Sequence, residues 1–535
     1  MLTTLPVLAG NSSAPTGQQA RSQRQLITIL AVAVFTTALL KRLAGATGDN
    51  FVGTWSDDFF YYLKAAMNIV AGKGSTFDGT IATNGYHPLW VLCLTALVAI
   101  LGSTQAVLIA LSFIVAVATA ITFVLARRLS ALITGSEGAI SILVALYSTC
   151  YFYVVAKHGM EIIITVPLMM YLTLRTLQGR GRLEEPRDGL RTGVLAALLV
   201  LSRLDTLLLI ALYFVGALSA RRSTLAAFVR ASAYFAIGFT PVLAYLISNL
   251  HFFGALMPIS GAAKQLAPSP WQHPILRGFA ISDNLHYAFV YPVVAASVLA
   301  LGLVVSNRAR ETAFERRAGL FPNLIFPFVF YTAQVAMTDW PFWDWYLYPW
   351  LAAAPLAISL ACKQWRSPLV RLSEKADAWL VDKLKLAASV IALGSLAIAA
   401  LDFRRPLPEL PIDAFSKTLT RFSEAHPGRY AMGDRAGMVG IRLPFPLVQL
   451  EGLMEDRRFL DHIRARDNLN EVLRKYDIDY YASTGAVESE GCYRTTEPRQ
   501  AGPGSPRMEG VFCQRPVLEF HSDFDGTNTL VFALK

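Results

Sequence analysis

Two adjacent acids, Asp57 and Asp58, lie in a polar, aromatic stretch that separates the apolar run at residues 26–43 from a long series of others. One carboxylate can act as a general base that takes a proton from a hydroxyl. A second acid beside it raises the pKa of one of the two or recruits a cation. The structural alternative is that both acids stabilise the start of a helix, expected near Phe59. The two interpretations are compatible.

Further polar groups interrupt the apolar pattern at intervals. They lie in the segment 84–90 (Asn84, Tyr86, His87), the turn 158–161 (His158, Glu161), the break 202–205 (Arg203, Asp205), the loop 252–264 (Lys264) and the aromatic segment 339–346 (Asp339, Trp343, Asp344). Amides and imidazoles can hydrogen-bond a sugar or a phosphate, and carboxylates can accept hydrogen bonds from sugar hydroxyls. A lysine can bind phosphate as a point cation, and aromatic faces stack on sugar rings. Each segment also has a structural alternative, as a turn, an interfacial anchor, a helix-terminus acid or a buried ion pair.

The composition is that of an integral membrane protein. Of 535 residues, 54% are hydrophobic and 16% are charged, whereas soluble domains carry about 25% charged residues. Apolar runs near twenty residues long favour helical spans over the shorter, alternating strands of a barrel. The net charge of +10 comes from basic residues in short loops, which is a topology signal and argues against a nucleic-acid partner.

The positions of the basic residues orient the spans. Arg21 and Arg24 place the start of the first span in the cytoplasm, so the loop with Asp57 lies outside. A signal-peptidase-like site at residues 44–46 is the alternative, but the long polar tail and Lys41 favour an uncleaved anchor. If the short stretch 89–101 is an interfacial helix, every later basic loop lies inside and about eleven spans result. The polar segments then share the outer, extracytoplasmic face of the membrane.

Three regions are expected. Residues 1–25 form a disordered cytoplasmic tail, residues 26–402 a transmembrane module with its first external loop at 45–104, and residues 403–535 an extracytoplasmic α/β domain. In that domain strands are expected at 430–432, 447–450, 478–482, 511–520 and 530–534, helices at 413–425 and 456–476, and a loop at 488–508. Cys492 and Cys513 can form a disulfide if the domain lies outside the cytoplasm.

The order of these segments resembles that of GT-C glycosyltransferases. The acid pair after the first span, the segment NGYHPLW at 84–90, a Gly-Met-Glu turn, an Arg-x-Asp break, a Phe-Gly…Pro…Lys loop and an aromatic loop follow one another between about residues 26 and 350. The chain is similar to bacterial enzymes related to the mycobacterial arabinofuranosyltransferases, and more distantly to protein mannosyltransferases and lipid A aminoarabinose transferases. The segment 430–453 also resembles the external domain of some of these proteins. Two segments depart from the arabinosyl pattern: the loop at 257–264 reads MPISGAAK, and the aromatic loop lacks a Gly-Asp-Phe form. These departures concern the identity of the sugar and not the class of enzyme.

The resemblance implies an all-α polytopic membrane protein with a GT-C-like fold and a C-terminal extracytoplasmic α/β domain. Such an enzyme moves a sugar, arabinofuranose in the branch named, from a polyprenyl phosphate to an acceptor hydroxyl of a glycan, lipid or protein, with inversion. It implies that Asp57 or Asp58 is the base and that Lys264 and Arg203 bind the donor phosphate. Substrate contacts are expected from Tyr62, Asn84, Tyr86, His87, His158, Glu161, Asp205, Asp339, Trp343 and Asp344. No cofactor is assigned with certainty, and a divalent cation stays open.

Two other functions compete with transfer. A transporter or flippase of lipid-linked sugars often has inverted repeats and spans interrupted near the midplane. Here no repeat is visible, and the polar segments gather at one face. A non-catalytic acceptor-binding subunit is the third interpretation, and loss of activity on removing the acid pair would separate an enzyme from both.

Overall fold

The computed structural model describes residues 17–135, 138–180, 183–219, 224–266, 285–306, 315–338, 340–369, 408–502, 504–521 and 528–535, and the single positions 383, 397 and 401. Helices make up almost all of the ordered structure before residue 370. They are α1 (Gly17–Ala46), α2 (Asp57–Val70), α3 (Pro88–Leu101), α4 (Thr104–Thr134), α5 (Ala139–Ala156), α6 (Ile162–Leu177), α7 (Pro186–Ser202), α8 (Leu207–Ser219), α9 (Leu225–Phe253), α10 (Ile259–Lys264), α11 (Leu285–Val305), α12 (Phe321–Met337) and α13 (Tyr348–Leu369).

Among the described residues, five helical segments are long and apolar enough to cross a membrane. These are Gln25–Ala46, Thr104–Thr134, Leu225–Phe253, Glu315–Met337 and Asp344–Gln364. Five shorter apolar helices accompany them, and α3, expected as an interfacial helix, is one of these. The chain is therefore a multi-pass membrane protein. The span expected at 384–401 lies outside the described residues apart from positions 397 and 401, so the count of about eleven spans stays a prediction.

Local sequence signals set the helix ends near the site. Ser56 caps α2, because its hydroxyl oxygen accepts a hydrogen bond from the Phe59 amide at 3.2 Å. Pro88 begins α3, where its missing N–H costs nothing, and Gly102 ends it in the left-handed conformation. Helix α2 thus begins at Asp57, two residues before the expected start, and both acids lie in its first turn.

The C-terminal part is an α/β unit. Its helices are α14 (Pro411–Ala425), α15 (Ala436–Gly440), α16 (Arg457–Ala465) and α17 (Leu469–Lys475), and its strands are β1 (Tyr430–Met432), β2 (Leu447–Gln449), β3 (Tyr480–Ser483), β4 (Val487–Ser489), β5 (Cys492–Glu497), β6 (Met508–Phe512), β7 (Leu518–His521) and β8 (Asn528–Ala533). One sheet has the order β2-β1-β3-β8-β7, with β1 parallel to β2 and β3 and the remaining pairs antiparallel. The other is the antiparallel sheet β4-β5-β6.

Three expectations for this part were wrong in detail. The helix expected at 456–476 is two helices, because Arg466 adopts a left-handed conformation and Asn468 caps the second helix. The strand expected at 511–520 is β6 and β7. The loop expected at 488–508 contains most of β4 and all of β5, joined by a two-residue turn in which Glu490 and Gly491 both have positive φ. Cys492 and Cys513 form a disulfide there, as the sequence suggested.

The C-terminal part packs directly on the segment between α1 and α3. The Asp413 carboxylate accepts hydrogen bonds from the amides of Val52 at 2.9 Å and Gly53 at 3.2 Å. Arg429 forms an ion pair with Asp78 at 2.5 Å. Helix α2 therefore lies between the helical bundle and the α/β unit.

Candidate active site

The first turn of α2 is anchored to the turn that precedes α6. The Ser56 hydroxyl donates to the carbonyl oxygen of His158 at 3.0 Å, and the Ser56 amide donates to the same oxygen at 3.2 Å. Gly159 follows with φ of 81°, and a Cβ there would lie 2.6 Å from the Trp55 side chain. Only glycine permits both the conformation and the close approach. These contacts fix the position of the N-terminus of α2 without any contribution from Asp57 or Asp58.

Asp57 faces the C-terminal part. Its Oδ1 accepts a hydrogen bond from the backbone amide of Met438 in α15 at 2.7 Å. Burial raises the pKa of Asp57 to about 7, although hydrogen bonds from Tyr61 and Met438 oppose that shift. This carboxyl group is half-protonated near neutral pH and already has protein partners.

Asp58 faces the opposite way and accepts no hydrogen bond from a residue that the structure describes. Burial raises its pKa, while the positive charges of Lys264 and Arg203 lower it in part. Asp58 is therefore a partly buried carboxylate in the field of two cations, with its oxygens available to a ligand.

Lys264 is held in place from two directions. The Asn84 side-chain oxygen accepts a hydrogen bond from the Ile259 amide at 2.9 Å, which fixes the start of α10. At the other end of α10, the Lys264 ammonium donates to the Tyr346 hydroxyl at 2.9 Å and lies 5.9 Å from the Trp340 ring centroid. Burial acts to lower the pKa of Lys264, but Tyr346 and Asp58 raise it above its usual value, so the group stays charged.

Arg203 is occupied by two carboxylates. It is 2% exposed, pairs through Nη2 with Asp205 at 2.8 Å, and donates a hydrogen bond from Nη1 to the Glu161 carboxylate. The Tyr348 hydroxyl donates to Asp205 at 2.8 Å. Buried charges at this depth persist when they are paired and hydrogen-bonded. The geometry therefore matches the structural ion pair considered for this break, and a phosphate contact from Arg203 stays a prediction.

Three buried side-chain nitrogen atoms in this region have no hydrogen-bond partner among the described residues. They are Nδ2 of Asn84, Nδ1 of His87 and Nε1 of Trp340. Burial, followed by the charge of Arg203, lowers the pKa of His87 to about 3, so its imidazole is neutral. Most buried polar groups in proteins are hydrogen-bonded. The two unpartnered N–H donors are suited to the oxygens of an anion: Asn84 contacts the start of α10, and the Trp340 ring lies near the Lys264 ammonium.

The other residues expected at the site have partners at its edge. His158 lies 3.4 Å from the Asp344 carboxylate. Tyr62 packs edge-on against Tyr86 and His87, with ring centroids 6.4 Å apart in both pairs. His87 lies 3.9 Å from Glu161. The exposed ring of Trp343 stacks on Trp345 at 5.8 Å. Asp339 lies outside the described residues.

The structure brings together polar segments that are far apart in sequence. The loop after α2 contacts α10 through Asn84, and α10 contacts the aromatic segment through Tyr346. Tyr348, two residues beyond that segment, contacts the break after α7. The sequence analysis missed Tyr346, Tyr348 and the Met438 amide as partners of the chosen residues. The aromatic segment included Tyr346 and ended two residues before Tyr348, whereas nothing in the sequence marks a backbone amide.

Within the described part of the chain, no three His, Cys, Asp or Glu side chains come together as metal ligands. The requirement for a divalent cation stays open.

Comparisons with known proteins give a structural likeness. No family model matches the chain, and no curated protein matches it significantly. Three solved structures of the oligosaccharyltransferase from Archaeoglobus fulgidus match over 88% of this chain and 70% of theirs. They are AglB in complex with an inhibitory peptide and a dolichol-phosphate (12% identity, TM-score 0.52), the apo form (11%, 0.52) and a form tethered to an acceptor peptide that contains an NVT sequon (12%, 0.53).

At such low sequence identity, the structural likeness establishes the fold alone. The activity has to be argued from the geometry of the site. These oligosaccharyltransferases belong to the GT-C superfamily. The prediction of a helical membrane protein with a C-terminal α/β region is confirmed, and this chain shares a GT-C-like fold with these structures.

Proposed function

We propose that this chain is a glycosyltransferase that moves a sugar from a polyprenyl-phosphate donor to an acceptor hydroxyl, with Asp58 as the general base. The observation that carries the proposal is the state of Asp58. It is a carboxylate with no hydrogen-bond partner among the described residues, set near Lys264 and Arg203. A free base beside a phosphate-binding cation is what transfer from a lipid phosphate requires.

Lys264 and its surroundings suit the donor phosphate. The ammonium supplies a charge-assisted hydrogen bond, and the unpartnered N–H groups of Asn84 and Trp340 supply two neutral ones. These donors are fixed before the substrate arrives, so they stabilise the charge that develops on the leaving phosphate without having to reorganise. The phosphate departs as an anion and needs no general acid.

The transfer step is a single displacement. The acceptor oxygen forms a bond to the anomeric carbon as the bond from that carbon to the phosphate oxygen breaks, and the bonding electrons leave with the phosphate. Asp58 takes the proton of the acceptor hydroxyl. Attack from the face opposite the phosphate inverts the configuration. The raised pKa of Asp58 makes it a stronger base than an ordinary carboxylate.

The fold supports a lipid-linked donor, since one of the similar structures was solved with a dolichol-phosphate. The basic loops support an active site at the extracytoplasmic face of a bacterial inner membrane. Arabinofuranose is the sugar we propose to test first, because the sequence resembles that branch. The acceptor is a glycan, lipid or protein that carries a free hydroxyl.

Purified full-length protein in detergent, supplied with a panel of polyprenyl-phosphate sugars and candidate acceptors, tests the proposal. Asp58→Asn is expected to lower kcat by roughly a thousandfold, within the range for loss of a general base. Asp461→Asn, an exposed acid in α16, is the matched control and should leave kcat unchanged. Equal activity of wild type and Asp58→Asn would remove Asp58 as the base, and inactivity of wild type with every donor would remove the function.

A further inference from the structure

Helix α15 of the C-terminal part packs closely against the first turn of α2. A Cβ at Gly437 would lie 2.4 Å from the Asp57 carbonyl oxygen and 2.9 Å from Asp57 Oδ1. The absence of a side chain at this position lets the next amide, that of Met438, reach Asp57 Oδ1 at 2.7 Å. A residue from the far end of the chain thus contacts the acid pair directly.

A second set of contacts reaches Asp57 from β2. The Gln449 side-chain nitrogen lies 3.4 Å from the Tyr61 hydroxyl and 3.1 Å from a Glu451 oxygen. Tyr61 in turn hydrogen-bonds Asp57. The Gln449 side-chain oxygen accepts a hydrogen bond from the Leu453 amide at 3.0 Å, which fixes the orientation of the amide group. Asp57 is therefore the last member of a network that begins in the α/β unit.

Fixing Asp57 also fixes the direction of Asp58. Successive side chains on an α-helix leave the axis about 100° apart. With Asp57 held by Met438, Asp58 is directed to the side of Lys264 and Arg203, whose charges act on it. Rotation or fraying of this first turn would turn the free carboxylate away from the cation.

We propose that Asp57 is a positioning residue and not the base, and that α15 of the C-terminal part completes the catalytic site by holding it. This inference rests on the proposed function and assigns the two acids different tasks. It also gives the α/β unit a direct part in the transfer step, through a backbone amide, in addition to any role in acceptor binding.

Two substitutions at Asp57 separate positioning from base catalysis. Asp57→Asn keeps an oxygen that can accept the Met438 hydrogen bond, so kcat should stay within about tenfold of wild type, the scale of one altered hydrogen bond. Asp57→Ala removes the acceptor, and kcat should fall roughly a hundredfold with the donor KM unchanged, because small misplacements of a catalytic group have effects of that size. If Asp57→Asn is as inactive as Asp58→Asn, the proposal is wrong.

A substitution on the other side of the contact gives an independent test. Gly437→Ala places a methyl group against Asp57 and should reproduce the kcat loss of Asp57→Ala while Asp57 itself is intact. Gly302→Ala is the matched control, since no atom lies within 4 Å of a Cβ at that exposed helical position. Wild-type kcat in Gly437→Ala would show that α15 does not hold the acid.

Hydrogen exchange in the full-length protein reports the contact without any assay of activity. The Met438 amide should be protected in wild type and Asp57→Asn and should exchange faster in Asp57→Ala. Equal protection in all three would overturn the proposal even if the enzyme transfers sugar. If no donor is used by wild type, the proposed function fails, and the exchange pattern still decides whether Asp57 holds α15.

Discussion

At the scale of single residues, the ammonium of Lys264 should dominate binding of the donor. Lys264→Met keeps the apolar stem and removes the charge. A hydrogen bond to a charged group contributes about 1.5–3 kcal/mol, so the donor KM should rise roughly ten- to hundredfold. Lys73→Met, at an exposed lysine of the loop after α2, is the control and should not change KM. Isotopic transfer assays at varied donor concentration measure this, and an unchanged KM in Lys264→Met would remove the phosphate role.

The same lysine should also set the pH at which Asp58 works. Burial raises the pKa of Asp58 and Lys264 lowers it, and the base acts only when ionised. The acid limb of the kcat/KM profile should therefore lie above the usual carboxylate pKa of about 4. In Lys264→Met the opposing charge is lost, so the limb should move to still higher pH. A limb that stays at the same pH in the variant would show that the two groups do not interact.

The two acids show which features of the site could be predicted from the sequence. Their type and their place after the first apolar run predict a base, and the first-turn position in α2 is what acids favour. Their different roles depend on the Met438 amide, more than 350 residues away along the chain. A backbone donor has no residue type of its own, so no pattern in the sequence can assign it.

At the scale of elements, the break between α7 and α8 depends on Arg203. Arg203→Met leaves the buried Glu161 and the half-buried Asp205 without their cation, and breaking a buried pair from one side costs about 3–5 kcal/mol. We expect a clear fall in thermal unfolding temperature, partly restored when Glu161→Gln is added. Arg464→Met removes an exposed pair with Asp461 and should have almost no effect. Equal unfolding temperatures for both arginine variants would contradict a structural role for Arg203.

Apolar periodicity predicted the positions of most helices and strands. It did not predict where a helix stops or where two strands are joined by a tight turn. The apolar runs of the bundle and four of the five expected strands were placed to within about two residues, because burial imposes their pattern. The turn at Glu490 and Gly491 and the helix stop at Arg466 depend on positive φ, which non-glycine residues adopt only where the surrounding contacts favour it. Such conformations are decided by tertiary structure.

At the scale of the whole molecule, buried acids should make the C-terminal part less stable as the pH rises. Burial raises the pKa of Glu497 to about 7, and one of its oxygens accepts no hydrogen bond from the residues that the structure describes. The folded state therefore holds a proton that the unfolded chain releases near pH 4. The stabilisation is complete below about pH 4 and is lost as the pH passes through about 7, roughly 3 kcal/mol for this group.

Thermal unfolding of the full-length protein at pH 5 and pH 8 measures this effect, with the higher temperature expected at pH 5. Glu497→Gln carries no ionisable group and should reduce the difference, because an amide stays neutral at both values. Glu424→Gln, at an exposed position in α14, should leave the difference unchanged. Asp57 has a pKa raised to about 7 by burial and contributes in the same direction, so Asp57→Asn should reduce the difference further. A protein that is more stable at pH 8, or a Glu497→Gln variant with the wild-type difference, would show that burial does not raise the pKa of these carboxyl groups in the folded protein.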